Sequence, residues 1–187
     1  MFSKFKSTIT GYKIKKVLIH GVKVETQYKG KAPSSSPVAI LEELKVKLRH
    51  HPTAVPMTVG FEGCWNGRLE VLKGIRASSI SKFNISGKQF KISRFVTKQN
   101  KSPLSLYTLS ADDKIFGLFS RLYDYGSDFR KIEAELFSKY NLVKPSAETS
   151  LHHITDGNYS AVVDMFGHSQ CFIWNHQEEF ETCLAAI

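Results

Sequence analysis

The sequence is poor in cysteine, has no long apolar run and carries no lysine or arginine after Lys144. Its three cysteines are too few and too scattered for a disulfide framework, so we expect a reduced, intracellular chain. No run reaches the roughly 18 apolar residues of a membrane span. Lysines interrupt the N-terminus where a secretory signal needs apolar residues, and the myristoylation and prenylation motifs are absent. We therefore expect neither a secreted nor an integral membrane protein; palmitoylation stays open.

The charge of the chain is strongly asymmetric. The net charge is +9, from 26 basic and 17 acidic residues. All 26 bases and 11 acids precede Pro145, which makes residues 1–144 a +15 segment, whereas residues 145–187 carry six acids and no base. A basic body with an acidic end predicts an anionic partner, which is either a nucleic acid or a membrane surface. With 42% apolar residues the chain is too hydrophobic to be mainly disordered.

Hydrophobic periodicity and turn residues predict an α+β fold. Capping signals before apolar stripes predict helices over residues 37–50, from Ser110 to about residue 122, and from Ser127 onward, with a short terminal helix after Asn175. Alternation predicts strands within residues 12–28, 57–61, 69–72, 75–77, 89–93, 159–166 and 171–174. We expect a small antiparallel sheet packed with three to four amphipathic helices. A flexible basic segment, residues 1–11, would precede one domain over residues 12–187, whose part from 145 to 187 is acidic.

The sequence offers little for catalysis. A phosphate-binding glycine loop, a nucleophile elbow and an HExxH motif are all missing. His152, His153 and Asp156 lie close together in sequence, but no nucleophile stands near them at a recognisable spacing. Asp112 and Asp113 are better explained as charges at a helix N-terminus. We therefore expect no catalytic residue, no cofactor and no enzymatic activity.

One spacing loosely resembles a zinc ligand set. His168, Cys171, His176 and Cys183 follow a His-x2-Cys-x4-His-x6-Cys pattern. Cys171 also alternates like a strand residue within Cys-Phe-Ile-Trp, and Cys183 fits the apolar face of a terminal helix. We favour structural cysteines and expect no metal site; bound zinc in purified protein would support the alternative of a zinc module or metal-dependent enzyme.

The N-terminal region is the strongest functional signal. Its aromatic and basic residues are typical of a peripheral membrane anchor, in which each cation contributes about 1 kcal/mol and each buried aromatic roughly 1.5–3 kcal/mol. The candidate membrane-binding residues are Phe2, Lys4, Phe5, Lys6, Lys13, Lys15 and Lys16. Two alternatives stay open: a solvated disordered tail, and RNA binding by counterion release.

Two further charged stretches predict partners. A second basic stretch, which could bind an anionic partner such as RNA, contains Lys88, Lys91, Arg94, Lys98 and Lys101. The simpler interpretation is the solvent side of an amphipathic strand. Acidic residues near the end could dock on the basic N-terminus of a neighbouring copy and give head-to-tail self-association. These are Glu178, Glu179 and Glu181.

A proline-bounded loop follows the first predicted helix. Residues 52–56 read Pro-Thr-Ala-Val-Pro, which is an imperfect form of the P-T-A-P peptide that viruses use to recruit budding machinery. Host budding or trafficking proteins are therefore candidate partners. A plain loop at the exit of the helix is the simpler interpretation, because Pro52 disfavours helix in the residue before it.

The order of elements resembles the small matrix proteins of rhabdoviruses. The likeness lies in a lysine-rich strand, Tyr12-Lys-Ile-Lys-Lys-Val-Leu-Ile-His-Gly-Val-Lys-Val-Glu25, and in a late amphipathic helix, Ser127-Asp-Phe-Arg-Lys-Ile-Glu-Ala-Glu-Leu-Phe-Ser-Lys-Tyr-Asn-Leu-Val-Lys144. The family's P-P-x-Y peptide is absent, which leaves open a matrix-like accessory protein.

The resemblance implies a non-enzymatic viral structural protein. Such a protein bridges an anionic membrane and a ribonucleoprotein and self-associates in virion assembly and budding. The resemblance implies that the basic stretch from Lys88 to Lys101 faces the nucleocapsid. It would reside in the virion and in the host cytoplasm, at the inner face of host membranes, with nuclear entry left open. The alternative is an RNA-binding viral accessory protein, such as a silencing suppressor or a movement protein.

Overall fold

The computed structural model describes residues 11–33, 36, 38–99, 102–121, 127–141, 146, 150–165 and 170–187. The strands are β1 (Lys13–Ile19), β2 (Val22–Tyr28), β3 (Val55–Pro56), β4 (Ser79–Ile85), β5 (Lys88–Gln99), β6 (Ser102–Ala111), β7 (Lys114–Arg121), β8 (Leu151–Thr155), β9 (Ser160–Asp164) and β10 (Gln170–Trp174). The helices are α1 (Ala39–His50), α2 (Glu62–Leu72), α3 (Ser127–Tyr140) and α4 (Gln177–Ala185).

The ten strands form one sheet in the order β1-β2-β4-β5-β6-β7-β10-β9-β8-β3. Neighbouring strands are antiparallel except for β3 and β8, which pair in parallel at one edge. The strand β1 forms the other edge. The acidic C-terminal part supplies β8, β9 and β10, and β10 pairs with β7 of the basic body.

Helices pack on both faces of this sheet, so its central strands are buried on each side. In β10, Cys171 and Ile173 join the core under α2 and α3, whereas Phe172 and Trp174 join the core under α1 and α4. The indole of Trp174 stacks on Phe180 of α4 with ring centroids 4.2 Å apart. A strand buried on both faces reads as a continuous apolar run, and Cys-Phe-Ile-Trp is such a run.

The predicted fold class is wrong in its architecture. The sheet is a large, ten-stranded mixed sheet, not a small antiparallel one with three to four helices packed against it. The predicted number of strands is too low because the prediction includes neither β4 nor β8 and treats residues 12–28 as one strand. They form two, joined by a two-residue turn at His20 and Gly21 with φ of 47° and 80°.

The predicted helix from Ser110 is also wrong, because that region is the β6–β7 hairpin. Asp112 and Asp113 form its turn with φ of 47° and 68°, as a tight hairpin turn requires. The apolar residues after the turn imitate a helical stripe because a β-bulge interrupts their alternation. Leu109 pairs with Gly117 and Ser110 with Ile115, so Phe116 is the extra residue.

The strands predicted at residues 57–61 and 69–72 are replaced by a loop and by α2. Cys64, Trp65, Arg68 and Leu72 are the buried residues of α2, and their spacing is helical. Glycines at 60, 63 and 67 had indicated strand breaks instead. The helix predicted over residues 37–50, the helix from Ser127 and the strands at the C-terminus are confirmed by α1, α3, β9 and β10.

A carboxylate on α3 holds the loop that leads into α2. The oxygens Oε1 and Oε2 of Glu135 accept hydrogen bonds from the backbone amides of Thr58 at 2.7 Å and Val59 at 2.8 Å. Burial opposes ionisation of Glu135, but these two amides outweigh it together with Lys139, and the pKa of the carboxyl is lowered. The ionised form of Glu135 is therefore part of the folded structure.

One substitution tests the hairpin at residues 111–114, because the sign of its effect on the free energy of unfolding differs between a strand and a helix. A Cβ added at Gly117 would lie 3.3 Å from Cβ of Leu109 and 3.5 Å from the ring of Phe172. We expect Gly117→Ala to lower the free energy of unfolding by about 1–3 kcal/mol, because the added methyl group would overpack the site. In a helix the same change would stabilise by up to about 1 kcal/mol.

Urea unfolding of Gly67→Ala provides the matched control. Gly67 lies in α2 and has open space around an added Cβ, so we expect a gain of about 0.5–1 kcal/mol. Equal effects of the two substitutions would contradict the strand assignment of residues 114–121.

The role of Glu135 predicts a pH-dependent loss of stability. We expect Glu135→Gln to lower the free energy of unfolding by about 1–3 kcal/mol at neutral pH, since a hydrogen bond from a backbone amide to a charged acceptor is lost. Because the pKa of Glu135 is lowered in the folded state, its contribution is present above the unfolded pKa and is lost as the pH falls through the folded one. The difference between wild type and variant should therefore shrink in acid. Glu133→Gln on the same helix removes the same charge and should leave stability within about 0.5 kcal/mol.

Candidate functional site

The β1–β2 hairpin lies at the edge of the sheet and has two unlike sides. Val17, Ile19, Val22 and Val24 belong to the core under α1. The alternate residues of both strands point to the opposite face. The hydroxyl of Tyr12 donates to the carbonyl of Ala77 at 3.0 Å, which ties the start of β1 to the body.

The opposite face carries a group of residues that we name the lysine face. Its members come from β1, β2, β4 and β5 and share one side of the sheet by their register: Ile14, Lys16, Leu18, Lys23, Glu25, Lys82 and Lys91. One row runs across the strands in the order Lys16, Glu25, Lys82, Lys91, and Leu18 lies opposite Lys23.

Lysines outnumber carboxylates on the lysine face. Nζ of Lys16 lies 3.5 Å from Oε2 of Glu25, and Lys91 forms an ion pair with Asp113 of the β6–β7 turn. Lys91, with a further contribution from Lys82, lowers the pKa of Asp113. Exposed pairs of this kind contribute little to stability, so the face keeps a positive field rather than a set of strong internal contacts.

Two large apolar side chains of the lysine face are exposed. Ile14 is 46% exposed and Leu18 is 68% exposed. The core under α2 and α3 includes residues of β6, β7, β8, β9 and β10 but none of β1, β2 or β4. The described helices on that side thus cover the far part of the sheet and leave the hairpin open. An open surface that mixes aliphatic side chains with lysines favours contact with another molecule.

The structure places the predicted membrane-binding residues unevenly. Phe2, Lys4, Phe5 and Lys6 lie outside the described residues. The remaining three, Lys13, Lys15 and Lys16, all lie on β1, where only Lys16 points to the lysine face. Lys13 and Lys15 alternate with it and point to the side of α1.

The predicted second basic surface is not brought together. Lys88 pairs with Glu179 of α4, and Arg94 donates to Oγ of Ser105, both on the α1–α4 side of the sheet. Lys91 points to the lysine face. Lys98 lies in β5, and Lys101 lies outside the described residues. The prediction that Lys91 alternates with buried Phe90 and Ile92 is confirmed.

The acidic residues of α4 differ in their surroundings. Oε1 of Glu179 lies 3.3 Å from Nζ of Lys88 in the same chain. The pKa of the Glu179 carboxyl is lowered, mainly by the backbone amide of Glu179 itself and also by Lys88. Glu178 and Glu181 are exposed, and Glu181 accepts a hydrogen bond from Gln177. Self-association through these residues stays a prediction, with Glu178 and Glu181 as the accessible members.

The histidine and aspartate candidates serve structural contacts. Nδ1 of His153 lies 2.8 Å from the carbonyl oxygen of His51, and burial lowers the pKa of His153. The ring of His152 lies 4.7 Å from that of Tyr140. Asp156 accepts hydrogen bonds from the amides of Phe61, Asn158 and Tyr159, so it holds a turn.

The fold does not gather the described residues of the zinc-like spacing into one site. His168 lies outside the described residues. Cys171 belongs to the core under α2 and α3, whereas Cys183 belongs to the core under α1 and α4. Burial raises the pKa of Cys183 to about 12, which keeps it a thiol. Within the described ranges no group of three or more histidine, cysteine or acidic residues could hold a metal ion.

The proline-bounded loop ends in an edge strand. Val55 and Pro56 form β3 and pair with Ile154 and Thr155 of β8. Pro52 and Thr53 before it are exposed. Recruitment of budding machinery by this loop stays a prediction.

Five residues of the lysine face were not among the predicted site residues: Ile14, Leu18, Lys23, Glu25 and Lys82. Ile14 and Leu18 share their parity with Lys16, so alternation within β1 could have identified them. Lys23 could be identified only by recognising the turn at His20 and Gly21, which places it opposite Leu18. Lys82 could be identified only from the pairing of β2 with β4, which no local sequence pattern indicates.

Comparison with known proteins gives no relative for this arrangement. No protein-family model, curated protein or solved structure matches the chain. Across the described part of the chain, the longest apolar helices fall short of what is needed to cross a bilayer.

Because the lysine face is open, alanine substitutions of two apolar residues of the hairpin should change the free energy of unfolding by different amounts. We expect Leu18→Ala to change the free energy of unfolding by no more than about 0.5 kcal/mol, because the side chain is already exposed. Val24→Ala removes two buried methyl groups and should cost about 2 kcal/mol. Urea unfolding of both variants measures this, and similar losses at the two positions would show that Leu18 is covered.

Proposed function

We propose that the chain is a non-enzymatic structural protein of the viral matrix type, which binds an anionic membrane surface through the lysine face and the N-terminal lysines. The observation that carries the proposal is the exposure of Ile14 and Leu18 beside Lys16 and Lys23 on an edge hairpin. Lysines attract the acidic headgroups, and the aliphatic side chains enter the boundary between headgroups and acyl chains.

The aliphatic residues favour lipid over nucleic acid as the partner. Lysines alone would suit either partner, because both present phosphates. Sheets that bind single-stranded RNA present aromatic side chains on which bases stack. The seven residues of the lysine face include no aromatic side chain. Isoleucine and leucine gain little from a hydrated phosphate backbone but gain from burial in lipid.

The expected affinity of one copy is modest. Four lysines and two carboxylates, Glu25 and Asp113, leave a small net charge at the face. With about 1 kcal/mol for each uncompensated cation and roughly 1.5–3 kcal/mol for each inserted aliphatic side chain, binding is reversible. Assembly of several copies on one surface would raise the effective affinity without a new contact.

Self-association and a ribonucleoprotein partner complete the proposal. The exposed carboxylates of Glu178 and Glu181 are available to lysines of a neighbouring copy, as head-to-tail assembly requires. A protein of this kind would act at the inner face of host membranes in virion assembly and budding, and it would hold the ribonucleoprotein through a surface away from the lipid.

Liposome flotation of the full chain tests the membrane proposal. We expect co-flotation with vesicles of phosphatidylcholine and phosphatidylserine but not with phosphatidylcholine alone, and a loss at high salt. Lys16→Glu with Lys23→Glu should weaken binding at least about tenfold, because four units of charge change. Ile14→Ser with Leu18→Ser should also weaken binding while leaving the salt dependence intact.

The matched control lies at the C-terminal end of α2, outside the lysine face. Val71 and Lys73 are an exposed apolar residue and an exposed lysine, so Val71→Ser with Lys73→Glu changes the same chemistry elsewhere. Wild-type flotation of the control and of both test variants would refute the proposal. Binding to single-stranded RNA at low salt with no vesicle binding would instead support the RNA-binding accessory protein.

A further inference from the structure

A cleft of about 660 Å³ opens on the side of the sheet opposite the lysine face. One wall is the N-terminal part of α1, including Ala39 and Ile40, and the floor is formed by β2, β4, β5 and β6. The volume is typical of a site for a small molecule. The polar floor residues of the cleft alternate with those of the lysine face, and Leu18 of the lysine face also borders the cleft on β1.

Strand register places a band of polar side chains along the floor. Thr26 and Ser81 are partners across β2 and β4, and Lys15 of β1 lies opposite Thr26. In the next row, Arg94 lies between Ser79 and Tyr107. These residues all line the cleft. The rows further along the strands are apolar and buried under α1, so the polar band is confined to the cleft.

Several donors of this band have no acceptor among the described residues. Thr26 and Ser81 are buried and share one hydrogen bond, with their hydroxyl oxygens 2.9 Å apart, so the second hydroxyl hydrogen is left over. The hydroxyl of Ser79, which also lines the cleft, makes no described hydrogen bond. Arg94 uses Nε and Nη2 on Ser105, which leaves other N–H groups of its guanidinium for a ligand. An anionic ligand in the cleft could accept hydrogen bonds from these donors.

The charges around the cleft favour an anion. Lys15 and Arg94 have no carboxylate partner among the described residues. Of the two acids on the wall, Glu43 is neutralised by Lys47, whose Nζ lies 2.7 Å away, and Glu42 is hydrogen-bonded to Nε2 of His20 at 3.0 Å. The first turn of α1 adds the positive end of a helix dipole on the same side.

We propose that this cleft binds a small organic phosphate. A phosphate monoester carries nearly two negative charges and three acceptor oxygens, which match Arg94, Lys15 and the hydroxyl groups of the floor. A carboxylate offers one charge and two oxygens and would leave donors unsatisfied. The organic part of the ligand would lie on Ile40, Ile92 and Phe119, which line the same cleft.

Isothermal titration of the full chain with phenyl phosphate, inorganic phosphate and benzoate tests the proposal. We expect phenyl phosphate to bind most tightly. Arg94→Gln should weaken phenyl phosphate binding about 10- to 100-fold, as expected for loss of a charged hydrogen-bond donor. Arg76→Gln removes an exposed arginine outside the cleft and should bind like wild type.

A second variant guards against a folding defect in Arg94→Gln. Ala39→Phe places a ring in the cleft from the wall and leaves every donor of the floor unchanged. We expect it to abolish phenyl phosphate binding while circular dichroism and thermal unfolding remain like those of wild type. Wild-type binding by both variants, or no binding of phenyl phosphate to the wild type at millimolar concentration, would overturn the proposal.

Vesicles identify the source of the phosphate. If Arg94→Gln weakens flotation with vesicles that contain phosphatidylinositol 4-phosphate but not with phosphatidylserine vesicles, the ligand is a lipid headgroup. If both vesicle types are bound equally by the variant and wild type while phenyl phosphate binding is lost, the ligand is a soluble phosphate. Either result supports an organic phosphate in the cleft.

Discussion

The antiparallel pairing of β7 with β10 is the contact on which the arrangement of charge depends. It places Ile173 beside Leu118 and Phe172 beside Phe119, and it joins the long antiparallel part of the basic body to the acidic C-terminal strands. The sheet therefore has a basic end at β1 and receives its acidic strands near the other edge. The charge asymmetry of the sequence becomes a spatial asymmetry of the molecule, as a protein that is oriented on a charged surface requires.

The same long sheet leaves too few helices to cover it. On one side α2 and α3 pack over β6–β10, and the hairpin of β1 and β2 stays open. Lysines on an edge strand also protect a protein from strand-to-strand aggregation, which alone would explain Lys13, Lys15 and Lys16. That explanation does not cover Ile14 and Leu18, because exposed aliphatic side chains on an edge strand promote the aggregation that the lysines prevent. Their exposure is what the membrane proposal accounts for.

The sequence predicted the elements that local signals define and missed those that pairing defines. The helix α1 was predicted from its apolar spacing and flanking residues, and α3 likewise. The hairpin of β6 and β7 resembles a helix in sequence because of the bulge at Phe116. The bulge places Ile115 and Leu118 on the same face of the sheet although they are three residues apart. In the candidate site, Lys16 was identified from composition, whereas Lys82 reaches the same row only through the partner strands of β2 and β4.

Neighbouring lysines of β1 serve different surfaces because a strand alternates its side chains. Lys16 points to the lysine face, and Lys15 lines the cleft next to Thr26. Replacing the whole lysine-rich segment would therefore change both surfaces together and would not separate an effect on membranes from an effect on the cleft. A single exchange at Lys15 or at Lys16 separates them, because register sends only one of the two to each side. The effect of a lysine in β1 thus depends on which side of the sheet its position faces, and not on the net charge of the segment.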